Sequence, residues 1–263
     1  MAGKVPHRRW RKHGGGRGQR LRGDHVHQAG RVTAGVGTTG SNAGLASDIS
    51  VPLVCLGEVI GALQIDSSTI AAFDDDDVTI EPKILDEFGH DCWPVSRVDA
   101  RRGLHPTRPD VVVTARSVED VVTVLRVAAK DRTPVTARGL GSSVTGQPLP
   151  VHGGIVLRLD ELAGLNQLDT VDMTVTVPAG RLGSDLEEWL NQRGLTLNHF
   201  PQSLDRSSVG GWLATRATGQ TSSRYGGIED HVVAYTVVLA DGSVVEVGSR
   251  PRGAVGPDLR HVF

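Results

Sequence analysis

Cysteine is scarce: Cys55 and Cys92 are the only thiols in 263 residues, and neither stands in a CxxC pair. That excludes a disulfide framework and a thiolate zinc site, and makes a reducing, cytoplasmic setting the expectation. Aromatics are few as well, with four Trp, two Tyr and four Phe. Core volume must therefore come from Val, Leu, Ile and Ala, as suits β-branched strands packed with helices. No apolar run reaches the ~18–20 residues that cross a bilayer. The N-terminal stretch also lacks the apolar centre of a secretory signal and the serines of a transit peptide. No membrane span and no bound metal are expected.

Acidic residues are missing from the first 22 positions, which carry Lys4, Arg8, Arg9, Arg11, Lys12, Arg17, Arg20 and Arg22 around the Gly14–Gly16 run. Residues 1–46, basic and then Gly-rich without periodicity, read as a disordered arm. Such an arm can touch nucleic acid or anionic lipid, but no aromatics interleave its charges and no basic face follows. No nucleic-acid partner is expected.

In residues 47–90, "ISVPLVCLGEVIGALQI" places apolar runs on either side of Leu56-Gly57-Glu58, a β-hairpin pattern. "AAFDDDDVTI" follows. Consecutive acids diverge, whereas a calcium loop needs alternating ligands and a distal Glu, so a solvated helix start is the expectation here. The order "SVPL…GEVIGALQI…AFDDDD" resembles the C-terminal half of a GAF domain; nothing in the Gly-rich arm corresponds to the first half. Residues 91–107, polar and proline-bearing, read as a linker.

Regular signals begin after Arg108. "PDVVVTA" reads as a buried strand, and Ser117 with Asp120 as a capping box opening a helix with Val118, Val121, Val122, Leu125 and Ala129 on one face. "PVTAR", "GIVLRL" and "MTVTVPA" are further strands; Ser184 with Glu187 reads as a second capping box, on a helix stopping at Gly194. "VVAYTVVLADGSVVEVG" is a hairpin turning on Asp241-Gly242. The fold class is α+β.

Two segments carry the chemistry. In "PVTARGLGSSVTGQPLP" a Gly-rich turn follows a strand, as where backbone amides cradle phosphate. The dinucleotide fingerprint fails because Val144 holds the place of its last glycine, and Pro148 and Pro150 forbid the helix it needs. The Walker pattern fails for want of a terminal Gly-Lys-Ser/Thr. An anion nest built from the loop's own amides, or a plain turn, remains. The second segment, residues 199–232, sets Gly210, Gly211, Gly219, Gly226 and Gly227 among hydroxyls, a density of small residues suited to backbone lying against a flat ligand. His199 and His231 read as packed or surface residues rather than bases, and Arg224 with Glu229-Asp230 as a surface ion pair.

Residues 108–263 resemble the FAD-binding domain of the FAD-linked oxidase superfamily, of the vanillyl-alcohol oxidase or PCMH type. The resemblance runs from "RPDVVV" through "ARGLGSSVTGQ", "FPQSLDRSSVGGWLATRATGQTSSRYGGIEDHV" and "VVLADGSVVEVG" to "GPDLRHVF". It is nearest to alkyldihydroxyacetonephosphate synthases, then to glycolate and D-lactate dehydrogenases. It implies a PCMH-type domain of two α/β subdomains, with Gly139, Leu140, Gly141, Ser142, Ser143 and Val144 around the FAD pyrophosphate. Pro201, Ser203, Ser207, Ser208, Gly210, Gly211, Thr215, Arg216, Ala217, Thr218 and Gly219 would lie along the flavin, and Tyr225 and Gly226 near its isoalloxazine or ribityl chain. Where some relatives attach FAD through a histidine this chain has Ser142, so the flavin is expected to be noncovalent. The resemblance continues into a Gly-Ser-Glu-Gly segment and a substrate cap domain. Their absence after "GPDLRHVF" is read as incompleteness at the C-terminus, leaving no catalytic residue to assign. The function implied is an FAD-dependent oxidoreductase acting on a hydroxy acid or alkyl-glycerone-phosphate-type small molecule. The alternative is a non-catalytic flavin-binding fragment or GAF-linked regulatory fusion.

Overall fold

A computed structural model describes residues 48–55, 58–66, 73, 77–162, 164–248 and 256–263. The arm expected at 1–46 lies outside them. The first elements are β1 (Asp48–Cys55), β2 (Glu58–Asp66), β3 (Val78–Thr79), α1 (Pro82–Phe88) and α2 (Pro94–Arg101). Then come β4 (Val111–Thr114), α3 (Val118–Asp131), β5 (Val135–Arg138), β6 (Ile155–Arg158), β7 (Gln167–Asp169), β8 (Thr174–Thr176) and α4 (Gly183–Asn191). The last are α5 (Val209–Thr215), α6 (Ser222–Tyr225), α7 (Ile228–His231), β9 (Ala234–Val238) and β10 (Val244–Gly248).

The sequence "VVVT" of β4 is buried at every position, which requires cover on both faces of its sheet. That sheet is four-stranded in the order β3-β4-β6-β5, with β4, β6 and β5 parallel and β3 antiparallel at the edge. Strand alternation then sorts the side chains. Val111, Val113, Ile155 and Leu157 face Val121, Val124 and Ala128 of α3. Val112 and Val156 face Leu85, Ile84 and Phe88 of α1. A separate apolar cluster gathers Leu186 and Leu190 of α4, Val209 and Trp212 of α5, and Ile228 of α7. The β1–β2, β7–β8 and β9–β10 pairs are antiparallel hairpins, the last turning at Gly242 with φ +79°. The mixed helix-and-sheet fold and its two cores agree with the expected class.

Several local expectations need correction. The aspartate run does not open a helix at Asp77: this residue is buried, ion-paired with Arg116, and leads directly into β3. The stretch 91–107, expected as a linker, holds α2. On α3 the Ser117–Asp120 capping box is present, but the buried stripe is Val121, Val124 and Ala128, while Val118 is 41% exposed. A helix so rich in valine leaves its phase ambiguous, and the sheet selects it. The second capping box is absent: Leu182 stands at the N-cap of α4 without a side-chain bond, and α4 ends at Asn191. Glu187 is instead buried, accepting from the Thr196 hydroxyl at 2.5 Å and the Leu197 amide at 3.1 Å. A strand not foreseen, β7, pairs with β8.

His199 is 1% exposed, with its ring edge-on to Trp212 at 4.9 Å and 5.9 Å from the ring of His231. Burial, reinforced by His231, lowers its pKa below the ordinary 6.5, and Glu229 opposes that. His199 is thus packed, as expected, and favours the neutral form.

Replacing Leu157 by Ala opens a void at the α3 face of the sheet and should cost about 2–5 kcal/mol, read as a lower urea midpoint at unchanged slope. Ser117→Ala should cost ~1 kcal/mol in the same assay. The depressed pKa of His199 means the unfolded chain binds the extra proton first, so stability present above pH ~6.5 is lost as pH falls below it. Urea midpoints at about pH 5 and 7.5 should differ less in His199→Gln than in wild type; an equal difference would place the titration elsewhere.

Candidate functional site

The loop 139–148 leaves the C-terminal end of β5, the edge where ligands meet parallel sheets. Its path is set by close approach. A methyl at Gly139 would lie 2.5 Å from Ser208 Oγ, and one at Gly141 would lie 2.3 Å from Arg138 Nη2. Gly141 and Gly146 also adopt φ values of +65° and +79°, where a side chain is strained. Among the described residues, no protein acceptor takes a backbone N–H from Gly139 through Val144. The loop is fastened by other groups: the Cys92 N–H donates to Ser143 O at 3.0 Å, and Ser143 Oγ accepts from the Thr145 amide at 3.2 Å. Leu140 and Val144 turn their side chains to solvent.

Beneath the loop lies Arg138, a residue the sequence reading did not single out. It is 8% exposed and donates to Phe88 O at 3.2 Å and His90 O at 2.7 Å. Its guanidinium stands 5.0 Å from the Phe88 ring centroid. Burial lowers its pKa, countered by Asp91 and Glu87, yet a guanidinium keeps its proton at any working pH.

The second segment is organised by Trp212, whose indole N–H donates to Ser207 Oγ at 2.6 Å. Ser207 Oγ in turn donates to Ser203 O at 2.6 Å and accepts from Ser203 Oγ at 3.0 Å. Buried and fully engaged, Ser207 braces the fold rather than offering a hydroxyl. Ser208 caps α5 through the Gly211 amide at 3.3 Å and is the residue against which Gly139 packs. The first amides of α5 are also used internally: Val209 N–H by Arg181 O, Gly210 N–H by Ala179 O. The first amides of α5 thus have acceptors within the protein, whereas among the described residues those of Gly139 to Val144 have none.

The glycines divide by role. Gly210 is small because a methyl there would stand 2.8 Å from the Ala179 methyl, and Gly219 because one would stand 2.4 Å from the Phe200 carbonyl. Both serve the protein's own packing. Gly211 meets only Ser208 Oγ, at 3.2 Å, and is otherwise open. Thr215 Oγ1 donates to Gly211 O at 2.9 Å, Arg216 ends α5 with φ +48°, and the Ala217 carbonyl accepts the Ile228 amide at 3.1 Å. Thr218 is exposed, and Pro201 is buried with its carbonyl bound by Leu204 N–H. Tyr225 is 42% exposed with the Arg224 guanidinium 5.2 Å from its ring centroid. Gly226 has φ +88° beside Asp230, whose carboxylate caps the Gly227 amide at 2.9 Å. The expected ion pair of Arg224 with Glu229-Asp230 does not occur among the described residues.

A family model described as "FAD binding domain" matches residues 109–248. Alkyldihydroxyacetonephosphate synthase of Caenorhabditis elegans is 32% identical over 180 residues, covering 66% of this chain and 30% of that protein. Glycolate oxidase subunit GlcD of Bacillus subtilis (strain 168) is 28% identical over 160 residues, covering 60% and 34%. A solved structure of alkyldihydroxyacetonephosphate synthase superposes with a TM-score of 0.66 at 27% identity, covering 73% of this chain and 35% of that one. The chain thus spans about a third of the length of these relatives. The match begins at Pro109 and gives the GAF resemblance of 47–88 no support.

FAD fits the geometry: successive amides with no acceptor among the described residues, beside a buried cation, suit a diphosphate. From the match over residues 109–248, more than half of its length, the chain belongs to the FAD binding domain family.

Proposed function

We propose that this chain is the FAD-binding portion of an FAD-dependent oxidoreductase acting on a small hydroxy acid or alkyl-glycerone-phosphate-type substrate, with noncovalent flavin. The observation that carries it is the run of undonated amides from Gly139 to Val144 seated against Ser208 at the end of a parallel sheet. The substrate classes come from the relatives, named as an alkyldihydroxyacetonephosphate synthase and a glycolate oxidase subunit. When bound, the flavin supplies the redox or electrophilic chemistry.

This chain's own groups bind and orient. The amides of Gly139, Leu140, Gly141, Ser142, Ser143 and Val144 hold the diphosphate, with the Ser142 hydroxyl as a further donor. Gly211, open on one side, together with Pro201, Thr215 to Thr218, Tyr225 and Gly226, flanks the rest of the cofactor, while Gly219 packs on Phe200 behind it. Ser203, Ser207 and Gly210 act from behind, by fixing Trp212 and the start of α5. The flavin module begins at β3 in this reading, because β3 completes the sheet and Leu85 of α1 covers its second face. Among the described residues no helix is long and apolar enough to cross a membrane. A cytoplasmic location belongs to the same reading and rests on the lone cysteines.

Purified chain mixed with FAD and desalted should keep the visible flavin bands, and acid precipitation should release all the flavin into the supernatant. A colourless protein would refute FAD binding; flavin retained in the pellet would refute the noncovalent assignment. Gly139→Ala, which drives a methyl into Ser208 Oγ, should weaken FAD at least about tenfold, or ~1.4 kcal/mol, by fluorescence titration. Reduction of a dye acceptor with glycolate or lactate then tests the enzymatic half of the reading separately.

A further inference from the structure

The segment that holds the 139–144 loop in place lies outside the family-matched residues. Phe88 and His90 offer their carbonyls to Arg138, at 3.2 and 2.7 Å, where the loop departs from β5. Cys92, on the same short segment, donates its amide to Ser143 O at 3.0 Å, on the far limb of the loop. Residues 88–92 thus grip both limbs of the turn, one of them through Arg138, which lies 48–50 residues later in the chain. Between the grips sits Gly141, with the Arg138 guanidinium filling the space that a Cβ there would need.

Arg138 is unusual among the arginines here. Arg158 engages Asp160 at 2.6 Å, Arg108 meets Asp86 at 2.9 Å and Arg260 holds Asp258 at 2.6 Å. Arg138 is buried, and its hydrogen-bond partners are neutral carbonyls. Burying a cation without a bonded carboxylate is costly, and neutral carbonyls offset that only in part. Asp91 and Glu87 offset part of the charge without bonding to it, and an anion held on the amides beside Gly141 adds countercharge on the open side, where screening is weak.

Resting on the FAD reading above, we propose that Arg138, clamped by residues 88–92, is a positioning residue for the cofactor diphosphate. It fixes the amides of Gly139 to Val144 and makes the site favour two linked phosphates over one. No bond is made or broken in this role.

The test compares FAD with FMN, which carries the same isoalloxazine on a single phosphate. Dissociation constants are measured by flavin fluorescence on the full chain for wild type, Arg138→Met and Arg138→Lys, with circular dichroism to establish folding. The expected result is FAD weakened tenfold or more in Arg138→Met, FMN changed less than threefold, and part of the FAD affinity regained in Arg138→Lys. A purely structural role would weaken both flavins together with no gain from lysine, and that outcome overturns the proposal, as does unchanged FAD affinity in the methionine variant. If Arg138→Met fails to fold, Arg138→Lys decides: selective loss of FAD supports the role, while equal loss or none overturns it. Wild-type protein that retains neither flavin overturns the FAD reading and this inference with it; wild-type FAD binding with indifferent variants overturns the inference alone.

Discussion

The turn after β5 leaves a run of peptide N–H groups with no acceptor among the described residues, and the proposed site is arranged around that fact. By contrast, the amides opening α5 go to Arg181 O, Ala179 O and Ser208 Oγ, and the Ser117–Asp120 box engages the Ser117 and Asp120 amides at the start of α3. Unsatisfied donors are tolerable at 139–144 because the loop is partly open to water. Pro148 and Pro150 keep the loop from continuing as a helix that would consume those donors itself.

Keeping amides open requires the surrounding parts to be rigid, and the rigidity comes from buried polar bonds. Trp212 fills the centre of the second core, and its indole N–H fixes Ser207, which fixes Ser203. That chain sets where Ser208 stands, and Ser208 sets how near Gly139 can approach. A core built from few aromatics therefore gives one of them a double duty. Losing the indole N–H would remove one of the two donors to Ser207 Oγ while its bonds with Ser203 remain, a cost of about 0.5–1.5 kcal/mol.

Much of this was legible in the sequence, and the parts that were not share a cause. The strands "VVVT", "VTAR" and "IVLR", the α3 capping box and the Asp241-Gly242 turn are local patterns, and each is present. The phase of α3 failed because valine repeats fit more than one helical stripe; only the opposing sheet chooses among them. The Ser184–Glu187 box failed because Glu187 has a better use, binding Thr196 and Leu197 across a turn. The glycines of 199–232 were read together as ligand-facing, yet Gly210 and Gly219 are small to admit Ala179 and Phe200. Composition marks where backbone is approached closely without saying by what.

Arg138 was hidden for a different reason. A charged residue closing an apolar strand ordinarily reaches outward to solvent, as long cationic side chains do when their stems are buried. Nothing near it in sequence suggests otherwise, because its partners are carbonyls of Phe88 and His90, supplied by the turn after α1. Those carbonyls are available because α1 stops at Phe88, which frees the following backbone to curve under the loop. α1 is itself held there by Leu85 and Phe88 packed on Val112 and Val156. The path from apolar face to the 139–144 loop thus runs through the sheet: Val112 and Val156 seat α1, α1 delivers the carbonyls, and the carbonyls hold a buried cation beside Gly141. A cation confined in this way loses little conformational freedom when an anion arrives, so the attraction is available for binding instead of being consumed in ordering a long side chain.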